Sequence, residues 1–100
     1  MNITEINDGN LEDVIHSNRK VILDCYAPWC GPCRILSPVF DELSSEESQI
    51  KFCKINTDEN PDVSERFNVM SIPTVLVFEN GELKSRGTGL KTKEELKALF

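Results

Sequence analysis

The sequence predicts an α/β fold with a mixed central sheet covered by helices, and two stretches carry that expectation. Val21-Ile22-Leu23-Asp24-Cys25-Tyr26 and, further on, Ile50-Lys51-Phe52-Cys53-Lys54-Ile55-Asn56 read as strands with a helix-spaced segment between them. A strand–helix–strand unit of this length implies parallel pairing through a right-handed crossover. Asn80-Gly81, between a strand at residues 74–78 and one at 82–86, is a two-residue hairpin signal, so that pair runs antiparallel. One sheet then holds strands of both senses.

In chain order, residues 3–7 alternate apolar and polar and read as a short first strand. Asp8-Gly9-Asn10 breaks it, and Asn10 is placed to cap a helix whose inner face is Leu11, Val14 and Ile15. His16, near the end of that helix, reads as a solvated residue favoured by the helix dipole, with no catalytic role. The near-continuous apolar run 21–26 suits a strand covered on both faces. Asp24 inside it is costly unless paired or protonated. Two readings stay open for it: a carboxylate folded back on a local donor, or an acid whose pKa is raised by burial.

Ile35, Leu36, Val39, Phe40 and Leu43 then share one helical face over residues 34–43. Pro38 lies inside this helix, removes a hydrogen bond and is expected to kink the axis, and the polar stretch 44–48 ends it. Cys25 and Cys53 read as buried core thiols, because a free cysteine packs like a small hydrophobe. Asn60-Pro61 opens a short helix with the proline in its first turn and Val63 and Phe67 inward. Pro73 opens the strand at 74–78, a position where proline is tolerated. Thr92 and Glu95 form a capping box for the last helix, whose apolar face is Leu96, Leu99 and Phe100.

A chain of 100 residues is expected to be a single domain, residues 1–100, able to bury one core without metal or disulfide support. Hydrophobic content of 39% and charged content of 28% are ordinary for a soluble globular protein. A net charge of −6 argues against nucleic acid or an anionic membrane as partner. No apolar stretch approaches the ~20 residues that span a bilayer. The opening residues carry neither a basic leader nor a hydrophobic region, so the expected compartment is the reducing cytoplasm.

The chemistry gathers at Trp29-Cys30-Gly31-Pro32-Cys33, where a strand runs into a tight turn that opens a helix. A thiol at a helix N-terminus faces unpaired backbone N–H groups and the positive end of the macrodipole, which favour thiolate. Thiolate is the reactive species in disulfide exchange, so Cys30 reads as a nucleophile. Cys33 lies about one helical turn further on, close enough to bridge it. Gly31 tolerates the turn, and Pro32 suits the first helical turn. Zinc is disfavoured, because Cys25, Cys53 and the lone His16 are unpaired in sequence and a structural site needs about four ligands. A permanent structural disulfide over so short a loop would stabilise weakly. A redox dithiol is the better reading.

With Asp24 before that pentapeptide and Ser71-Ile72-Pro73-Thr74 far after it, the chain resembles the thioredoxin family over essentially its whole length. The resemblance implies a thioredoxin fold, a three-layer α/β/α sandwich, and a general protein-disulfide reductase. It implies Cys30 as nucleophile, Cys33 as the less exposed, resolving thiol, and Asp24 as proton acceptor and donor. Asp24 and Lys54 would share a face of the sheet, with Lys54 tuning the acid, unless Lys54 is simply a solvated edge charge. Cys25 and Cys53 would share the opposite face, where parallel neighbours rarely offer the geometry for a second disulfide.

The resemblance also implies a cis Pro73, strand-like pairing of client chains with the Ile72 backbone, and an apolar ring of Trp29, Pro73, Gly89 and the Met70 region around Cys30. Gly31 and Pro32 resemble the strongly reducing members. No bound cofactor is implied; electrons would come through a thioredoxin reductase using NADPH and FAD or ferredoxin. The partners implied are that reductase and disulfide-containing clients, with the protein a monomer. The sequence departs from the family at Tyr26, Pro28 and Cys25, none of which removes a group the chemistry needs. An oxidase or isomerase, and a non-catalytic binding module, are the rival classes, because fold alone does not decide function.

Overall fold

The computed structural model describes residues 2–100; Met1, the first residue of the expected domain, lies outside them. The described chain runs β1 (Ile3–Ile6), α1 (Leu11–Ser17), β2 (Lys20–Tyr26), α2 (Gly31–Glu46), β3 (Lys51–Asn56), α3 (Pro61–Arg66), β4 (Thr74–Glu79), β5 (Glu82–Thr88) and α4 (Lys93–Lys97). Five strands form one sheet in the order β1-β3-β2-β4-β5. β3 pairs parallel with both β1 and β2, whereas β4 pairs antiparallel with β2 and β5. The mixed sheet expected from the sequence is present, with β2 at its centre. Among the described residues no helix is long and apolar enough to cross a membrane.

Helices cover both faces. Leu11 and Ile15 of α1 and Val63 of α3 pack with Leu23, Cys25 and Phe78 on one face. Leu36, Phe40 and Leu43 of α2 and Leu96 of α4 pack with Ile22, Phe52 and Val77 on the other. Phe40 meets Phe52 edge-on, with ring centroids 5.2 Å apart, which fixes α2 over β3. Double coverage also explains β1. Ile6 packs into the α1/α3 layer and Ile3 into the α2/α4 layer, so its apolar residues serve opposite faces.

The hairpin and capping-box signals are met in the structure, and the Asn10 cap is not. Asn80 and Gly81 both have positive φ, 53° and 83°, as a two-residue hairpin turn of this kind requires. The capping box is complete: the Thr92 hydroxyl accepts from the Glu95 amide, and the Glu95 carboxylate accepts from the Thr92 amide. Asn10 does not cap α1. Its Oδ1 accepts from the Asn7 amide at 2.8 Å, so the side chain satisfies the preceding turn instead.

The helix read over residues 34–43 is longer at both ends, because Cys30 caps it at the start and Ser44 turns inward near its end. The Ser44 hydroxyl donates to the Asp41 carbonyl, which lets a polar residue sit buried inside the helix. Pro38 lies within α2 without ending it.

Candidate active site

β2 and α2 meet at the dithiol. The Cys30 amide closes a turn on the Ala27 carbonyl at 3.2 Å, and the Cys30 carbonyl accepts the Arg34 amide at 3.3 Å, the first rung of the helix. Cys30 is the N-cap, with its Sγ accepting from the Cys33 amide at 3.2 Å. That contact is the arrangement that favours a thiolate once the bond opens. Cys30 and Cys33 are joined as a disulfide, with their Cα atoms 5.3 Å apart. Gly31 is not demanded by the backbone. A Cβ there would meet no atom within 4 Å.

The two sulfurs open on different spaces. Cys30 lines a groove of about 510 Å³ with Trp29, Gly31, Pro32, Met70 and Ile72. Trp29 is 67% exposed and Met70 85%, large apolar surfaces left in water beside the disulfide. The Trp29 indole N–H donates to Asp58 Oδ2 at 2.7 Å, which orients the ring. The Ile72–Pro73 peptide is cis, and Ile72 packs against the small cluster formed by Ala27, Cys30 and Cys33. Pro73 is buried, its carbonyl accepting the Gly89 amide at 2.8 Å. Gly89 holds φ at 89°, a conformation that suits glycine.

Cys33 faces a second cavity of about 150 Å³, shared with Asp24, Tyr26, Arg34, Ser37 and Lys54. It has room for several waters at about 30 Å³ each. Asp24 is only 4% exposed, and its Oδ1 has no hydrogen-bond partner, so the carboxylate is not folded back on a local donor through that oxygen. Burial pushes the acid up to about 7, with Lys54 opposing the rise and Glu5 adding to it.

Lys54 stands directly across the strand pair from Asp24 and on the same face. It is half-exposed, and its ammonium is 3.8 Å from Glu5 Oε1 and 5.4 Å from the centre of the Tyr26 ring. It is therefore more than an unattached edge charge.

As whole residues in the disulfide form, Cys30 and Cys33 are equally buried, both 4% exposed. What separates them is the space each sulfur faces.

A family model described as Thioredoxin matches residues 2–100. The chain belongs to the thioredoxin family. The thioredoxin of Pyropia yezoensis is 43% identical over 98 residues, covering 96% of this chain and 92% of that one. The thioredoxin of Mycoplasmoides gallisepticum is 38% identical over 94 residues, 94% of each chain. Among solved structures, oxidised mitochondrial thioredoxin 3 of Saccharomyces cerevisiae superposes with a TM-score of 0.90 at 30% identity, over 97% of this chain and 92% of that one. The activity is protein-disulfide oxidoreduction, and the Cys30–Cys33 pair is its redox centre.

Within this thioredoxin domain Cys25 and Cys53 are free and buried on the face opposite Asp24, as strand alternation requires. Register sets Cys53 opposite Leu23 and Cys25 opposite Ile55, so the two thiols are not paired neighbours. Burial raises both, Cys53 to about 11 and Cys25 further, which keeps them protonated and unreactive at neutral pH. Among the described residues no group of three or more His, Cys, Asp or Glu could hold a metal ion.

Sequence reasoning missed Asp58, Glu5, Thr57 and Ser64. Asp58 and Thr57 follow the end of β3, and the C-terminal ends of parallel strands are where α/β sheets gather functional groups. Glu5 sits in a short strand and carried no signal of its own.

Proposed function

We propose that this chain reduces disulfides in client proteins with Cys30 attacking and Cys33 resolving. The Cys30 thiolate attacks one sulfur of the client disulfide; that S–S bond breaks, a mixed disulfide forms, and a client thiolate leaves. Asp24 takes the proton from Cys33 across the cavity they share. The Cys33 thiolate then attacks the Cys30 sulfur, closing the disulfide and expelling the second client thiolate. Two electrons pass to the client in each cycle; the Cys33 proton, taken up by Asp24, and one proton from water convert the two client thiolates to thiols.

The client chain lies in the groove along the Ile72 backbone, where main-chain pairing accepts many sequences, and Trp29 and Met70 cover its apolar side chains. Pro73 and Gly89 shape that edge, and Gly31 and Pro32 set the dithiol toward a reducing potential. Lys54 tunes Asp24. A thioredoxin reductase, drawing on NADPH through FAD or on ferredoxin, returns the disulfide to the dithiol. The protein works as a monomer in the reducing cytoplasm, without nucleic acid or membrane as partner.

One observation carries this reading: a disulfide whose first sulfur lines an open apolar groove and whose second shares a cavity with a buried acid. The test is a pair of variants with a disulfide-containing peptide. Cys33→Ser accumulates the mixed disulfide by mass, and Cys30→Ser forms none. The parent pair poises well below the cytosolic glutathione potential. A potential above it moves the reading to an oxidase or isomerase. Client effects that survive loss of both cysteines mark a binding module.

A further inference from the structure

Across three adjacent strands, Glu5 of β1, Lys54 of β3 and Asp24 of β2 occupy one row: Lys54 is the register partner of Glu5 on one side and of Asp24 on the other. The lysine could reach either acid. It is drawn to Glu5, at 3.8 Å, while Asp24 Oδ1 has no partner at all. Glu5 and Lys54 are both half-exposed, and an exposed ion pair alone holds a lysine weakly. Tyr26 supplies the restraint. Its hydroxyl donates to the Glu5 carboxylate, lying 2.9 Å from both oxygens, and its ring presents a face to the Lys54 ammonium at 5.4 Å.

We propose that Glu5 and Tyr26 are positioning residues that hold the Lys54 ammonium beside β1 and off the Asp24 carboxylate, leaving the acid under the dithiol able to carry a proton. The competition is one of geometry. Lys54 is one strand spacing from each acid, about 5 Å, whereas Glu5 is two spacings from Asp24, about 10 Å. Glu5 raises Asp24 by its own charge across that distance, and more strongly by holding the lysine between them. The other groups facing Asp24 are Cys33 and Arg34 from α2 and Tyr26 from its own strand; β4 offers apolar Val75. A lysine released by Glu5 would turn to the unpaired acid and favour its charged form.

This inference rests on the reading of Asp24 as the proton acceptor of Cys33. Its test is made on the oxidised protein, which performs no exchange, so the two can fail separately. NMR titration of the side-chain carboxyl carbons follows Asp24 directly. Glu5→Gln lowers the Asp24 midpoint by roughly half a pH unit or more. Tyr26→Phe, which keeps the ring and removes the hydroxyl, lowers it by less. Glu5→Asp, which keeps the charge, restores part of the parent midpoint.

Glu82→Gln makes the same change in net charge on exposed β5 and leaves the midpoint in place. In a Lys54→Met background, Glu5→Gln loses most of its effect. An unmoved or raised midpoint in Glu5→Gln overturns the proposal, as does an equal shift in Glu82→Gln or a full shift without Lys54. An unmoved midpoint in Tyr26→Phe removes Tyr26 from it.

Discussion

Asp24 and Cys33 face one cavity from two layers of the fold, the acid from β2 in the sheet and the thiol from the first turn of α2 above it. Neither layer alone makes the site. The sheet keeps the carboxyl out of water, the helix N-terminus sets the sulfur, and the cavity between them leaves room for a proton to pass.

The buried acid costs stability, and the sign follows from its pKa. Asp24 titrates at about 7 in the folded protein against 3.8 in its absence. The folded chain therefore holds a proton that the unfolded chain gives up between those values, and stability falls as pH rises through that window. Above about pH 7 the loss is complete, on the order of 4 kcal/mol at most. Asp24→Asn is expected to raise Tm at pH 8 and to lose that advantage toward pH 4. Thermal unfolding of the oxidised protein at both pH values checks it, and a pH-independent difference would count against it.

Met70 lines the groove and is 85% exposed. Met70→Glu is expected to leave folding stability within about 0.5 kcal/mol of the parent. It should raise KM for protein disulfides several-fold while kcat is held, since it removes docking surface and no chemical group. A fall in kcat at constant KM would refute the assignment.

Phe40 is 1% exposed and packs edge-on against Phe52 between α2 and the sheet. Phe40→Ala leaves a cavity there and is expected to cost about 3–5 kcal/mol, a large part of the stability of a domain this size. Denaturant unfolding reads the loss. A change under 1 kcal/mol would mean that α2 can collapse onto β3.

The capping box of α4 gives a smaller, sharper test. Thr92→Ala removes the acceptor for the Glu95 amide and is expected to cost about 1 kcal/mol, with Thr92→Ser recovering most of it. Disulfide exchange at Cys30 should proceed at the parent rate in both variants, which a reduction assay alongside the unfolding curves will report.

What the chain's own order determined is what a few neighbouring residues can settle. Cys30 to Cys33 at a strand–helix turn, the positive φ of Asn80 and Gly81, and the Thr92–Glu95 box are each closed by backbone groups within one turn of the residue concerned. Backbone capping and turn chemistry act at that range, so these features were legible before any packing was known. Asn10 marks the limit: it occupies the N-cap position, yet its side chain bonds back to Asn7. The first amides of α3 show the alternative, with Asp62 donating to Asp8, 54 residues away, a partner no local rule could nominate.

Only the tertiary structure decided which groups surround the dithiol. Trp29 is oriented by Asp58, and Lys54 is held between Glu5 and Tyr26, because parallel register brings β1, β3 and β2 into one row. Register is chosen by the fit of whole apolar faces, Ile6 and Ile55 on one side and Ile22 and Phe52 on the other. The polar groups beside Asp24 are carried into place by that fit. The reactive pair was written locally, and the buried acid and the charges around it were brought beside that pair by packing.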